Sequence, residues 1–170
     1  MRSMDEFFDV YTKDKVKTDV AIRNGTPMAQ GEYCLIVHAW VRNGDGRYLI
    51  ARRAQRKTFG GLWECPGGGA IAGETSLDTA LREIREEVGI ALDPAAGKLV
   101  KTCVYDAIHA ICDVWVFTHP VALETLTLAT DEVTDARLAS PQEILRLVDT
   151  GDFIPVYGYL EWFFDKEKGI

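Results

Sequence analysis

Residues 68 to 90, GGAIAGETSLDTALREIREEVGI, join a glycine turn, a helix start and a cluster of carboxylates in one short segment. Thr75 or Ser76 stands where a side-chain oxygen can accept from the first free helix amides. Leu77, Leu81, Ile84 and Val88 recur at i, i+4, i+7 and i+11, the spacing of one buried helix face, and Gly89 stops the helix. At about 100° per residue, Glu83, Glu86 and Glu87 fall within roughly a third of the circumference, turned away from that face. Like charges so spaced weaken a helix by about a few tenths of a kcal/mol per pair. A bound cation removes the penalty, and an all-oxygen donor set favours Mg2+, Mn2+ or Ca2+ over zinc. The alternative is a solvated acidic face, ion-paired to Arg82 and Arg85.

The fixed positions Gly68, Glu74, Arg82, Glu83, Ile84, Glu86, Glu87, Gly89 and Ile90 reproduce, residue for residue, the signature of the Nudix hydrolases. A motif with that many fixed positions is far more specific than a lone glycine-rich loop. The resemblance implies an α/β/α sandwich with a mixed β-sheet, and hydrolysis of a nucleoside diphosphate linked to another group. It implies Mg2+ or Mn2+ as cofactor, with Glu83, Glu86 and Glu87 as metal ligands and the carbonyl of Gly68 or a neighbour completing the shell. Arg82 would orient a box carboxylate, and Glu74 would support the loop–helix junction or act as an outer ligand. The general base often lies outside the motif in this family, which points to Glu132, with Asp131, Asp135 and Glu124 behind it. The catalytic set is therefore Glu86, Glu87, Arg82 and Glu132.

The 170 residues, 47% hydrophobic and 26% charged, suit one globular domain over residues 1–170, with 1–30 as an N-terminal extension of short strands and turns. A net charge of −7 argues against a nucleic-acid-coating surface or a polybasic membrane surface. It also means that a polyphosphate would be repelled unless divalent cations stand between it and the carboxylates. The expected partner is a small nucleoside-diphosphate substrate, with no stable nucleic-acid partner and no membrane; a homodimer is compatible with this reading. Cys34, Cys65, Cys103 and Cys112 have no CxxC spacing, so neither a zinc site nor a redox pair is indicated, and Cys34, Cys103 and Cys112 read as buried small hydrophobes. No apolar run reaches membrane-spanning length and MRSMDEFFDV has no signal-peptide core, so the expected location is the cytoplasm.

Upstream, EFFDVYTK at 6–13 and the chain up to Gln30 read as extended pieces, with turns at Asn24-Gly25 and Pro27. YCLIVHAWV at 33–41 is a strand covered on both faces, Asn43 to Gly46 a turn, and Tyr48 to Ala51 the return strand of a hairpin. Arg52, Arg53, Arg56 and Lys57 form a basic island, either a solvated loop or a phosphate contact through Arg52 or Arg53. Gly67 and Gly68 bring backbone close to metal and phosphate. Downstream, Leu99 to Ala107 and Ala110 to Thr118 read as a second hairpin, with His109 near its turn. Val133 to Ala139 reads as a strand, Ser140-Pro141 as the start of a helix, and Val156 to Lys166 as an aromatic-rich closing helix. Strands first and helices last give an α+β order. His38 reads as a satisfied core residue, and His109 and His119 as loop or strand-end residues.

Two other readings remain. Cys65, two residues after Trp63, evokes isopentenyl-diphosphate isomerase, which shares the fold, but Cys65 is followed by Pro-Gly-Gly-Gly where the isomerase needs a metal-binding His. A non-catalytic nucleotide-sensing Nudix domain would have lost box carboxylates, and none is lost. Nothing in the chain matches the accessory patterns that mark hydrolases of ADP-ribose, NADH or coenzyme A.

Overall fold

The computed structural model describes residues 6–167. The chain opens with a two-stranded antiparallel sheet, β1 (Phe7–Tyr11) and β2 (Lys17–Arg23). It continues through β3 (Cys34–Arg42), β4 (Tyr48–Arg53), β5 (Trp63–Glu64), β6 (Gly67–Gly69) and helix α1 (Ser76–Val88). Strands β7 (Gly97–Tyr105), β8 (Ala110–Thr118) and β9 (Val133–Ala139) follow, then helices α2 (Pro141–Asp149) and α3 (Leu160–Glu167).

The main sheet has seven strands in the order β5-β4-β3-β8-β7, with β6 also on β3 and β9 also on β4. It is mixed: β3 runs parallel to β8, and the other pairs are antiparallel. Period-two alternation splits β3 between two layers. Val37, Ala39 and Val41 face Ala80, Ile84 and Val88 of α1, whereas Trp40 packs with Tyr48, Ile144 of α2 and Phe163 of α3. The fold is α+β, with helices on both faces of a mixed sheet. Among the described residues no helix is long and apolar enough to cross a membrane.

The expected β3–β4 hairpin is present but short. The two strands pair only where they meet, at Arg42 and Tyr48, after which β6 takes the same edge of β3 and β4 turns to β5 and β9. An all-glycine strand makes this insertion feasible. A Cβ on Gly67 would stand 2.2 Å from the Val37 carbonyl oxygen, well inside contact distance. The closing helix is also shorter than the apolar pattern suggests, starting at Leu160. Tyr157 and Tyr159 precede it and turn their hydroxyls inward, to the Cys65 backbone and to His38 and Trp40. Cys34 and Cys103 are only half-buried, because each stands in a strand with one face partly open.

The N-terminal hairpin is fastened to the rest at both ends. Lys15, at φ 61°, places its ammonium 2.5 Å from the fully buried Asp113, which also accepts from Thr102 at 2.7 Å. Ala72 donates its amide to the Phe7 carbonyl at 2.7 Å, and Gly73 donates to the Asp9 carboxylate at 2.7 Å. The loop leading into α1 is thus held by β1.

Candidate active site

Helix α1 begins as its sequence dictates. Thr75 is the N-cap and forms a reciprocal capping box with Asp78, and Gly89 closes the helix in the left-handed conformation at φ 79°. Glu74 accepts from the Ile71 amide at 3.0 Å, from Thr79 Oγ1 at 2.9 Å and from Arg82 through Nε at 2.6 Å and Nη2 at 2.9 Å. Burial would raise its pKa, but these donors win and hold Glu74 below the usual carboxylate value. Arg82 also donates to the Gly69 carbonyl at 3.1 Å, to Glu83 at 3.0 Å and to Glu86 at 3.2 Å. Burial works against its charge, yet Glu74 and Glu83 outweigh it and hold the guanidinium protonated.

The three helix carboxylates do not share one solvated face. Glu83 and Glu87 are 4% and 3% exposed, whereas the Glu86 side chain is 61% exposed. The i, i+4 pair lies on the flank where α1 meets β6, and Gly67 donates its amide to Glu87 at 3.3 Å. Burial, followed by the Glu64 and Glu83 charges, pushes the Glu87 pKa well above the usual value. Two buried carboxylates that repel each other are an unstable arrangement on their own. Such hard oxygen donors fit a divalent cation, which would offset both burial and repulsion. Among the described residues no three acidic, His or Cys side chains already converge into a metal cage. Arg82, bonded to both Glu83 and Glu86, holds that part of the set in its present arrangement.

These side chains, with Gly67 and Gly68, line a cavity of about 790 Å³. Arg53, Arg56, Lys57, Asp131 and Glu132 line it too, as does Glu6 from the chain before β1. The loops that carry this wall are tied together: Ala54 donates to the Glu132 carbonyl at 2.9 Å, and Arg56 Nη2 to the Asp131 carbonyl at 2.9 Å. Lys57 forms an ion pair with the Glu132 carboxylate. Burial alone would raise the Glu132 pKa, but Lys57 brings it below the usual value, so the group stays ionised at neutral pH. Arg53 donates to the Thr58 carbonyl at 2.8 Å and to the buried Glu64 at 2.5 Å.

A family model described as the NUDIX domain matches residues 32–162. The chain belongs to the Nudix hydrolase family. It is accordingly an enzyme of the hydrolase class. An uncharacterised Nudix hydrolase of Listeria monocytogenes is 34% identical over 165 residues, covering 96% of each chain. A crystal structure from Deinococcus radiodurans superposes with a TM-score of 0.71 at 19% identity, over 87% of this chain and 91% of that one. A bifunctional NMN adenylyltransferase/ADP ribose pyrophosphatase from Francisella tularensis, complexed with AMP and a manganese ion, gives 0.60 at 22% identity. That match spans 80% of this chain and 42% of the other.

Within this Nudix hydrolase, Gly67, Gly68, Arg82, Glu83, Glu86, Glu87, Glu132 and Arg53 meet around one cavity. Arg52 does not join them. Alternation on β4 turns it to the other side, where it donates to the Gly61 carbonyl at 2.8 Å and lies over Trp63. Asp135 pairs opposite Arg52, and Glu124 sits in an exposed turn, both off the cavity wall. Sequence reading missed Glu64 and Glu6. Glu64 had a signal in hindsight, a carboxylate inside an apolar two-residue strand beside a basic one. Glu6 had none, because only docking of the hairpin brings it there.

Proposed function

We propose that this Nudix hydrolase cleaves the diphosphate of a nucleoside diphosphate linked to another group. Glu83, Glu86, Glu87 and the carbonyl of Gly68 or its neighbour Gly67 would hold Mg2+ or Mn2+. Such a cation supplies Lewis-acid polarisation of the phosphoryl oxygens and neutralises charge that develops on them. Arg82 orients Glu83 and Glu86. Arg53 and the nearby Arg56 bind phosphate oxygens, which a chain of net charge −7 would otherwise repel. Glu132, ionised beside Lys57, takes the proton of the attacking water at its carboxylate. The described chain, hairpin included, acts as one domain, and its expected setting is the cytoplasm.

The observation that carries this reading is the burial of two mutually repelling carboxylates, Glu83 and Glu87, in a cavity wall that also bears a cluster of Arg and Lys side chains. The test is a panel of nucleotide sugars, dinucleoside polyphosphates and nucleoside triphosphates in Mg2+, with products resolved by phosphorus NMR. Cleavage between two phosphorus atoms is expected for at least one class. A panel left intact in both Mg2+ and Mn2+ overturns the reading.

The isomerase alternative needs a reactive Cys65. That thiol is 1% exposed, faces the Pro66 carbonyl at 3.4 Å, and is pushed well above its usual pKa by burial and then by Glu64. Such a group is a packed neutral thiol rather than an acid–base catalyst. Cys65→Ser is expected to keep diphosphate hydrolysis within about a few-fold of wild type. Wild-type isomerisation of isopentenyl diphosphate that disappears in the Ser variant would reverse the assignment.

A further inference from the structure

Glu64 is 5% exposed, on β5 opposite Ala51. One carboxylate oxygen, Oε2, accepts from Arg53 Nη1 at 2.5 Å, while the other, Oε1, is shielded from water and has no hydrogen-bond partner among the described residues. A buried ion pair contributes little to stability once both charges are desolvated, and an unsatisfied buried oxygen costs more still. Folding alone therefore gives no reason for a carboxylate at this position. What the pair supplies is orientation. Arg53 lies at the end of β4, its backbone bonded to Leu62 and Gly61 and its Nε to the Thr58 carbonyl at 2.8 Å. With Nε and Nη1 so engaged, Nη2 makes no bond among the described residues, and the side chain lines the cavity. A guanidinium held at Nε and Nη1 keeps the two Nη2 hydrogens for a phosphate oxygen.

We propose that Glu64 is a positioning residue for substrate binding, holding Arg53 through Nη1 so that its free Nη2 meets a phosphate of the nucleotide. This rests on the hydrolase reading above. Its subject is the diphosphate-binding step and not the chemistry on phosphorus.

The experiment measures binding of α,β-methylene-ADP in Mg2+ by calorimetry, for wild type, E64A, E64Q, R53A and the E64A/R53A double variant, with melting curves for each. E64A is expected to weaken binding by about tenfold, and E64Q, which keeps an acceptor for Arg53, by less than about threefold. The double variant should bind no more weakly than R53A alone, because Glu64 acts only through Arg53. In turnover, E64A should raise KM and leave kcat within about twofold. Unchanged binding in E64A, losses that multiply in the double variant, or a fall in kcat at constant KM each overturn the proposal while leaving the hydrolase reading intact. A wild-type protein that binds no methylene-ADP in Mg2+ also overturns the proposal, while the hydrolase reading stands or falls with the substrate panel above.

Discussion

Glu87→Gln is expected to lower turnover by about a hundredfold or more while leaving the protein folded. Losing one such electrostatic interaction commonly costs on the order of 2.7–4 kcal/mol of barrier. Stability should not fall with it, because Glu87 is buried and repelled by Glu64 and Glu83, against which stand the attraction of Lys57 and the 3.3 Å bond from Gly67. An amide of the same shape keeps an acceptor and sheds the charge. Glu86→Gln should match the kinetic loss at no cost to packing, since that side chain is largely in water. Steady-state kinetics beside melting curves decide the matter. Near-wild-type rates for both variants, with a metal still required, would remove the carboxylates of α1 from the site.

Removing divalent cations should abolish hydrolysis altogether. Among the described residues no Lys or Arg forms an ion pair with Glu87, and Arg82 must serve Glu74, Glu83 and Glu86 at once. Without an added ion, the α1 carboxylates confront an incoming polyphosphate with like charge. Excess EDTA is expected to reduce the rate at least about a hundredfold, with recovery on adding Mg2+ or Mn2+. The same ions should raise the melting temperature in the absence of substrate, because they bind only the folded arrangement of Glu83, Glu86 and Glu87. Full activity in EDTA is the outcome that would sink the metal assignment.

The helix of the box was legible to within a residue at its start, Thr75 or Ser76, and at Gly89 at its end, because capping and the Leu77 to Val88 apolar period are local properties. Strand β9 and the Ser140 cap of α2 were readable for the same reason. Pairing was less so. The turn at Asn43 to Gly46 advertises a hairpin, and nothing near β3 and β4 says that Gly67–Gly69 will arrive to take the shared edge. Burial of Glu83 and Glu87 was hidden similarly, since helical phase gives an angle but not how far β6 leans over the flank. Of the two arginines at the end of β4, the sequence offered either. Alternation puts Arg53 on the cavity wall, with Glu64 contributed by a strand formed only in the tertiary fold.

The family-matched segment begins at residue 32, yet the amides of Ala72 and Gly73 are bonded to Phe7 and Asp9, and the Asp113 carboxylate to Lys15. An isolated two-stranded hairpin is marginal in water, so β1 and β2 can persist only once their partners exist. Lys15 and Asp113 are 98 positions apart. During synthesis the hairpin therefore leaves the ribosome before the groups that hold it, which follow in turn: Tyr33 ahead of β3, Ala72 and Gly73 ahead of α1, and last Asp113 on β8. What settles the loop into α1 is thus translated early and docked late.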